Sequence, residues 1–266
     1  MNILQPTVKL EALSIPVENK KGTITVPCIN KNGELRPNIL ERLIESAGRT
    51  CYKSENRINE GSAERFCKMI QSRNHMSVLE HCSATFRIIC DRGVTHEIVR
   101  HRIASYSQES TRYCNYATNK EIAFIEPEWV LSDEHLHTEL NIVCSVPAKN
   151  KYTIGNLRKT AKEEIITDNS LDTLTKQLLL FLKACTDAEW YYNQLIELGQ
   201  TPQQARAVLP NALKTELVMT ANFREWLHFL ELRTSTAAHP DMRIIANMIA
   251  KNLSQVSSTV FGKFCI

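Results

Sequence analysis

Ser83-Ala84-Thr85-Phe86-Arg87-Ile88-Ile89-Cys90 is the stretch on which the fold turns. Ala84, Phe86, Ile88 and Cys90 fall on one side of an extended chain, while Thr85 and Arg87 fall on the other. That two-residue period belongs to a strand with one face buried. The strand needs partners and a covering layer, and the flanking segments supply both. Upstream, Thr7 to Ile15 alternates loosely as a second strand, and Pro37 to Ala47 has helical spacing with proline in its first turn. Ser62 to Ser72 reads as a further helix.

Downstream, Gly93 to Ile103 is expected to be helical, and Ile122 to Ile125 a short buried strand ended by Glu126-Pro127. Leu171 to Gly199 is a long amphipathic helix, and Pro202 to Leu209 a short one closed by Pro210. Lys214 to Ala221 alternates as a strand, while Arg224 to Leu232 and Met242 to Phe261 read as helices. Leu131 to Ser170 is largely polar and weakly patterned, and the periodicity assigns it no element. Strands separated by several helices, without regular βαβ alternation, make the class α+β. We expect a central antiparallel or mixed sheet flanked by helices, in one domain over residues 1–266.

The composition is that of an ordinary globular chain: 43% hydrophobic and 23% charged over 266 residues. A net charge of +3 is too small for a polyanion-binding tail, so any basic site must be local. The cysteines are odd in number, nine, and no pair is spaced as C-x-x-C, so they are expected to be reduced. Met1 to Asn19 mixes charges through its length and has no apolar core of a leader, and no window approaches a membrane span. These features point to a cytoplasmic protein with no membrane partner. Glycine is scarce, eight residues, and neither G-x-G-x-x-G nor G-K-[ST] occurs. A nucleotide or flavin must therefore be gripped by side chains and helix ends.

The chemistry is concentrated in Arg100-His101-Arg102-Ile103-Ala104-Ser105-Tyr106-Ser107-Gln108-Glu109-Ser110-Thr111-Arg112-Tyr113. Guanidinium forks match phosphate and carboxylate oxygens two at a time, and the hydroxyl and amide groups can read neutral polar edges. On a helix, Arg100, His101 and Arg102 would fan out by about 100° each, so they cannot all face one phosphate. The alternatives are two ligands, or ion pairs within the chain, with Glu80, Glu97 and Glu109 as candidate partners. A nucleic-acid surface is the competing functional reading, weakened by the modest charge and the lack of a binding motif. Zinc is disfavoured: His96 and His101 are five residues apart, which turns the second imidazole by about 140° from the first. Ser110 is either polarised by neighbouring cations or a loop hydroxyl bonded to backbone. Arg206 and Arg233 sit near apolar stretches, where the other reading is a structural salt bridge.

Several blocks, in order along the chain, resemble the flavin-dependent thymidylate synthases. Arg100-His101-Arg102, a gap of seven, then Ser110 is similar to the family's signature. Asn74-His75-Met76-Ser77-Val78-Leu79-Glu80-His81 looks like its histidine-rich segment before a strand, and Ala47-Gly48-Arg49-Thr50-Cys51-Tyr52 like an early block. Ala205-Arg206 with Leu209-Pro210, then Asn222 and Arg224, then Leu232-Arg233 complete the order.

The resemblance implies reductive methylation of dUMP to dTMP, with methylenetetrahydrofolate as carbon donor, FAD as hydride carrier and NADPH as reductant. It also implies a homotetramer whose sites are shared between subunits. By position, His75, Ser77, Glu80, Arg100, His101, Arg102, Ile103, Gln108, Asn222, Phe223, Arg224 and His228 would surround FAD. Glu97, Ile98, Val99, Arg100, Gln108, Glu109, Ser110, Thr111, Arg112, Arg206 and Arg233 would surround dUMP. Arg233 would stabilise the ionised N3 of the uracil, and Ser110 would polarise the ring near the reacting carbon. Glu97, Gln108 and His228 depart from the residues common in the family, and residues 131–170 look like an insertion.

Overall fold

The computed structural model describes residues 1–15, 18–20, 23–25, 38–118, 122–145 and 151–264. Its strands are β1 (Asn2–Leu4), β2 (Thr7–Leu13), β3 (Glu18–Lys20), β4 (Thr23–Thr25), β5 (Ser83–Asp91), β6 (Ala104–Gln108), β7 (Ala123–Ile125) and β8 (Lys214–Asn222). Its α-helices are α1 (Ile39–Thr50), α2 (Ser62–Ser72), α3 (Arg92–Ile98), α4 (Glu128–Leu131), α5 (Glu134–Ser145), α6 (Ile154–Leu157), α7 (Lys162–Thr167), α8 (Thr173–Glu197), α9 (Pro202–Ala205), α10 (Phe223–Arg233), α11 (Pro240–Val256) and α12 (Ser258–Phe261). The main sheet has the order β2-β5-β8-β6; β1 pairs parallel with β7, and β3 antiparallel with β4. The class is α+β, as expected.

The chain forms two compact units. One comprises Met1–Thr7, Ile89–Ile98 and Gln108–Leu217; the other comprises Val8–Ile88, Val99–Ser107 and Val218–Ile266. In the first unit the organising element is α8. Asp172 caps it by accepting the Thr175 amide at 2.9 Å, and it buries Thr175, Leu178, Leu179, Leu182 and Cys185 at helical spacing. Leu136, Leu140 and Val143 of α5, Leu157 of α6 and Ile165 of α7 pack with that stripe. The described residues of the weakly patterned stretch 131–170 therefore include three helices, which share a core with α8. Helices α6 and α7 are short and bury one residue each, too few for a period to stand out, while α5 buries Leu136, Leu140 and Val143 at i, i+4 and i+7, a spacing the sequence reading passed over.

In the second unit, the inward face of β5 is the one the alternation named: Ala84, Phe86 and Ile88 are almost fully buried. Phe86 meets Trp226 of α10 edge-on at 5.1 Å, and the Trp226 indole N–H donates to the Ala84 carbonyl at 3.1 Å. On the opposite face Arg87 pairs with Glu11, and Thr85 bonds Thr220. Asn222 caps α10, its side-chain oxygen accepting the Glu225 amide at 2.9 Å. Helices α1 and α2 approach so closely at Gly48 that a Cβ there would lie 2.5 Å from the Phe66 ring.

Two sequence expectations are corrected, and one is untested. The helix expected over Gly93 to Ile103 stops at Ile98, and β6, which the sequence did not announce, follows it. The final helix begins at Pro240 and breaks at Ser257, whose side chain caps α12 by accepting the Val260 amide. Pro37, expected in the first turn of α1, lies outside the described residues. Cys51, Cys67, Cys82, Cys90, Cys114, Cys144 and Cys185 are free thiols, and Cys67, Cys82, Cys90 and Cys185 are buried as small core residues.

Candidate active site

The end of α3 determines how the basic run is displayed. From Val99 to Ile103 the chain is neither helix nor strand, and one side chain turns inward: His101 is 5% exposed, while Val99, Arg100, Arg102 and Ile103 are exposed. This removes the fan-out that a helix would impose, and Arg100 and Arg102 line one cavity together.

His101 points into the second unit. Its ring packs on Phe229 at 4.8 Å and on His228 at 5.8 Å, and the Tyr106 hydroxyl donates to its carbonyl at 2.6 Å. Arg233 donates from Nε to His101 Nε2 at 3.1 Å, and His101 Nδ1 lies 3.3 Å from Glu225 Oε1. Burial pushes the His101 pKa down to about 4, and the charges of Arg233 and His228 add to the shift. Burial pushes the Glu225 carboxyl up.

The cavity, about 680 Å³, is lined by Glu80, Arg100, His101, Arg102, Ile103, Asn222, Arg224, His228, Leu232 and Arg233 among others. Four guanidinium groups on one cavity favour an anionic ligand. Arg224 is paired with Glu80 at 2.6 Å, but both side chains are about half exposed. Such a pair is screened and weak, so an anion can compete for the arginine. Phe223 is fully buried against Phe261, so only its backbone can meet a ligand. His75 and Ser77 are exposed and do not line the cavity. His101, Glu225 and His228 offer ligand atoms within 4.8 Å of one another, the spacing of a metal site. Both ring nitrogens of His101 are already committed, however, one of them to a cation, which opposes a metal there.

The remaining candidates, Val99 apart, lie in the first unit. Gln108 donates its amide to Thr95 Oγ1 at 3.0 Å and Thr215 Oγ1 at 3.3 Å. Glu109 turns inward: Lys214 is 2.8 Å from one oxygen, and the Tyr116 hydroxyl donates to the other at 2.8 Å. Burial and Glu109 together push the Tyr116 pKa up. Ser110 Oγ accepts the Arg112 amide at 3.3 Å, a bond that does not use the hydroxyl proton. Arg112 donates to Gln203 at 3.0 Å, and Arg206 to the buried Thr111 hydroxyl at 3.0 Å. On α3, Glu97 is half-buried and Ile98 fully buried, and Val99 just beyond is exposed.

Sequence reasoning passed over Glu225, Lys214, Tyr116, Gln203 and Arg92. Glu225, three residues after a capping asparagine, reads as an ordinary first-turn acid. Arg92 has a buried Nη1 with no hydrogen-bond partner. A buried guanidinium N–H without an acceptor is a position an anion can fill. No helix among the described residues is long and apolar enough to cross a membrane.

Residues 38–257 match the family model described as thymidylate synthase complementing protein. The chain is 34% identical over 227 residues to the flavin-dependent thymidylate synthase of Corynebacterium efficiens, covering 84% of this chain and 79% of that one. It is 33% identical over 225 residues to the enzyme of the same name from Mycobacterium tuberculosis, covering 84% and 78%. In fold it resembles the UMP/dUMP methylase PolB of Streptomyces cacaoi, solved with 5-Br dUMP, with a TM-score of 0.65 at 19% identity over 99% of this chain and 96% of that one. With most of its length matched by the family model and by relatives a third identical, the chain belongs to the family of flavin-dependent thymidylate synthases.

Proposed function

We propose that the chain methylates dUMP to dTMP reductively: methylenetetrahydrofolate gives the carbon, FAD carries the hydride and NADPH resupplies it. The balance is dUMP, methylenetetrahydrofolate, NADPH and a proton in, and dTMP, tetrahydrofolate and NADP out. The observation that carries the reading is the cavity on which Arg100, Arg102, Arg224 and Arg233 converge, in a chain of this family. The donor set and the volume of about 680 Å³ suit the FAD phosphates and ring system. Arg100, Arg102 and Arg224 would hold the phosphates, and Glu80, Ile103, Asn222, the Phe223 backbone and His228 the remaining edges. His75 and Ser77 join only with the cofactor or another subunit in place.

When bound, FAD supplies the hydride that completes the methyl group. The chain's own residues bind and polarise the nucleotide. Arg92, Arg112 and Arg206 would neutralise its phosphate, the orphaned Arg92 Nη1 gaining the acceptor it lacks. Gln108, oriented by Thr95 and Thr215, and the Ser110 hydroxyl would address the pyrimidine. Arg233 would hold N3 of the uracil as the anion and raise electron density at the carbon to be methylated. Glu109, bound to Lys214 and Tyr116, would keep the backbone of this loop in place, beside Glu97, Ile98 and Val99.

We assign the active form to a cytoplasmic homotetramer with shared sites, a reading supported by the open cavity and by the exposed Ile103 and Leu232 at it. Neither nucleic acid nor membrane is a partner. The test is an absorbance spectrum of the purified protein followed by dUMP titration and assay of dTMP. A flavin band, perturbed by dUMP, and turnover dependent on methylenetetrahydrofolate and NADPH are expected. A protein that binds no flavin, or that forms no dTMP when loaded, overturns the proposal. Arg100→Ala and Arg112→Ala subunits, inactive alone, should regain activity when mixed, and no rescue would refute site sharing.

A further inference from the structure

We infer that Glu225 is a positioning residue: through the His101 ring it sets the orientation of the Arg233 guanidinium. The inference deepens the function proposed above and rests on Arg233 facing the uracil. It begins with donors and acceptors. An arginine N–H can only donate, so His101 Nε2, 3.1 Å from Arg233 Nε, must present a lone pair. The imidazole then carries its proton on Nδ1, and that proton needs an acceptor in a pocket where His101 is 5% exposed. Glu225 Oε1, 3.3 Å away and itself buried, is that acceptor. A protonated Glu225 donating to Nδ1 would leave the ring with no hydrogen at all, so in this geometry Oε1 can only accept. Carboxyl oxygen, neutral imidazole and guanidinium therefore form one ordered row in which each bond dictates the next.

The surroundings leave the row little latitude. Phe229 and His228 pack on the imidazole, and the Tyr106 hydroxyl ties its backbone at 2.6 Å. Because a guanidinium is planar, fixing Nε fixes the plane of the whole fork. Without Glu225 the proton can move to Nε2, where it opposes the Arg233 N–H donor to donor and drives the arginine out of place. A second role is available to the same side chain: Glu225 lies in the first turn of α10, where a negative charge opposes the helix dipole. Substitution separates the two roles. Glutamine keeps an oxygen for Nδ1–H and loses the charge; alanine loses both.

The experiment uses the purified full chain with labelled imidazole nitrogens, His101 being assigned by its loss in His101→Gln. Long-range proton–nitrogen spectra report which nitrogen carries the proton, and dTMP formation is measured alongside. We expect protonated Nδ1 and bare Nε2 in the wild type and in Glu225→Gln, with turnover close to wild type in the latter. In Glu225→Ala the tautomer should change, and kcat/KM for dUMP should fall about 10- to 100-fold, the scale seen when a carboxylate that orients a ligating histidine is removed. Nε2 protonation in the wild type overturns the inference, whatever the variants do. So does a glutamine variant as impaired as the alanine one, which would leave only the helix-end charge. The expected tautomer in a protein that makes no dTMP would instead refute the proposed function and leave the His101 geometry standing.

Discussion

His101 makes the stability of the chain depend on pH, and the size of the effect follows from its surroundings. The buried imidazole holds its pKa near 4 against 6.5 for an exposed histidine. As pH falls through 6.5, the unfolded chain takes up a proton that the folded chain refuses. Stability from this group is therefore complete above pH 6.5, is lost between 6.5 and 4, and levels off below. Linkage puts the loss at about 1.4 kcal/mol by pH 5.5 and about 3.4 kcal/mol at its limit. Glu225, whose pKa burial raises, gains its proton more readily in the folded chain and softens the fall at the acid end. The comparison is therefore best made between pH 7.5 and 5.5. The assay is urea unfolding of the wild type and His101→Gln at both values. The wild type should lose about 1.4 kcal/mol more than the variant over that interval. Parallel losses would show that His101 is not held neutral, and the row from Glu225 to Arg233 would lose its central member.

Other perturbations read other parts of the structure. Gly48→Ala should destabilise: overpacking against Phe66 costs about 1–3 kcal/mol, more than the helix-propensity gain of about 1 kcal/mol, and Phe66→Leu should restore the midpoint of thermal unfolding. Leu157→Ala should cost about 2–5 kcal/mol in denaturant unfolding, because Leu157 is fully buried in the core shared with α8; a negligible effect would mean that residues 131–170 do not fold with it. Arg206→Ala should raise KM for dUMP about 10- to 100-fold, the value of one or two charge-assisted bonds, with little change in melting temperature; an unchanged KM would remove Arg206 from the substrate site.

Elements with a strong period were legible from sequence. The alternation of Ser83 to Cys90 named the buried face of β5 correctly, and the α2 boundaries were those expected. The failures share a cause. β6 reads Ala-Ser-Tyr-Ser-Gln, an edge strand of the sheet with no apolar face, so no pattern announces it. The helix expected over Gly93 to Ile103 would have run through the apolar Val99 and Ile103. In the structure both are exposed, and the inward residue is a histidine, which finds its partners more than a hundred residues away. Contacts of that range leave no local trace. The arginines of the site could be picked out because charge near apolar residues requires a reason. Glu225 could not, because its position already had an ordinary one.

The single inward turn at His101 has an evolutionary consequence. From Val99 to Ile103 four exposed side chains flank one buried imidazole, so one position of this run carries all of its packing. Adding or deleting a single residue beside it would carry the imidazole away from Phe229, Glu225 and Arg233. Point substitutions at the exposed positions can be graded in effect, but a change of length by one cannot. Lineages and mutant libraries should therefore vary the composition of those positions while leaving the length of the run untouched.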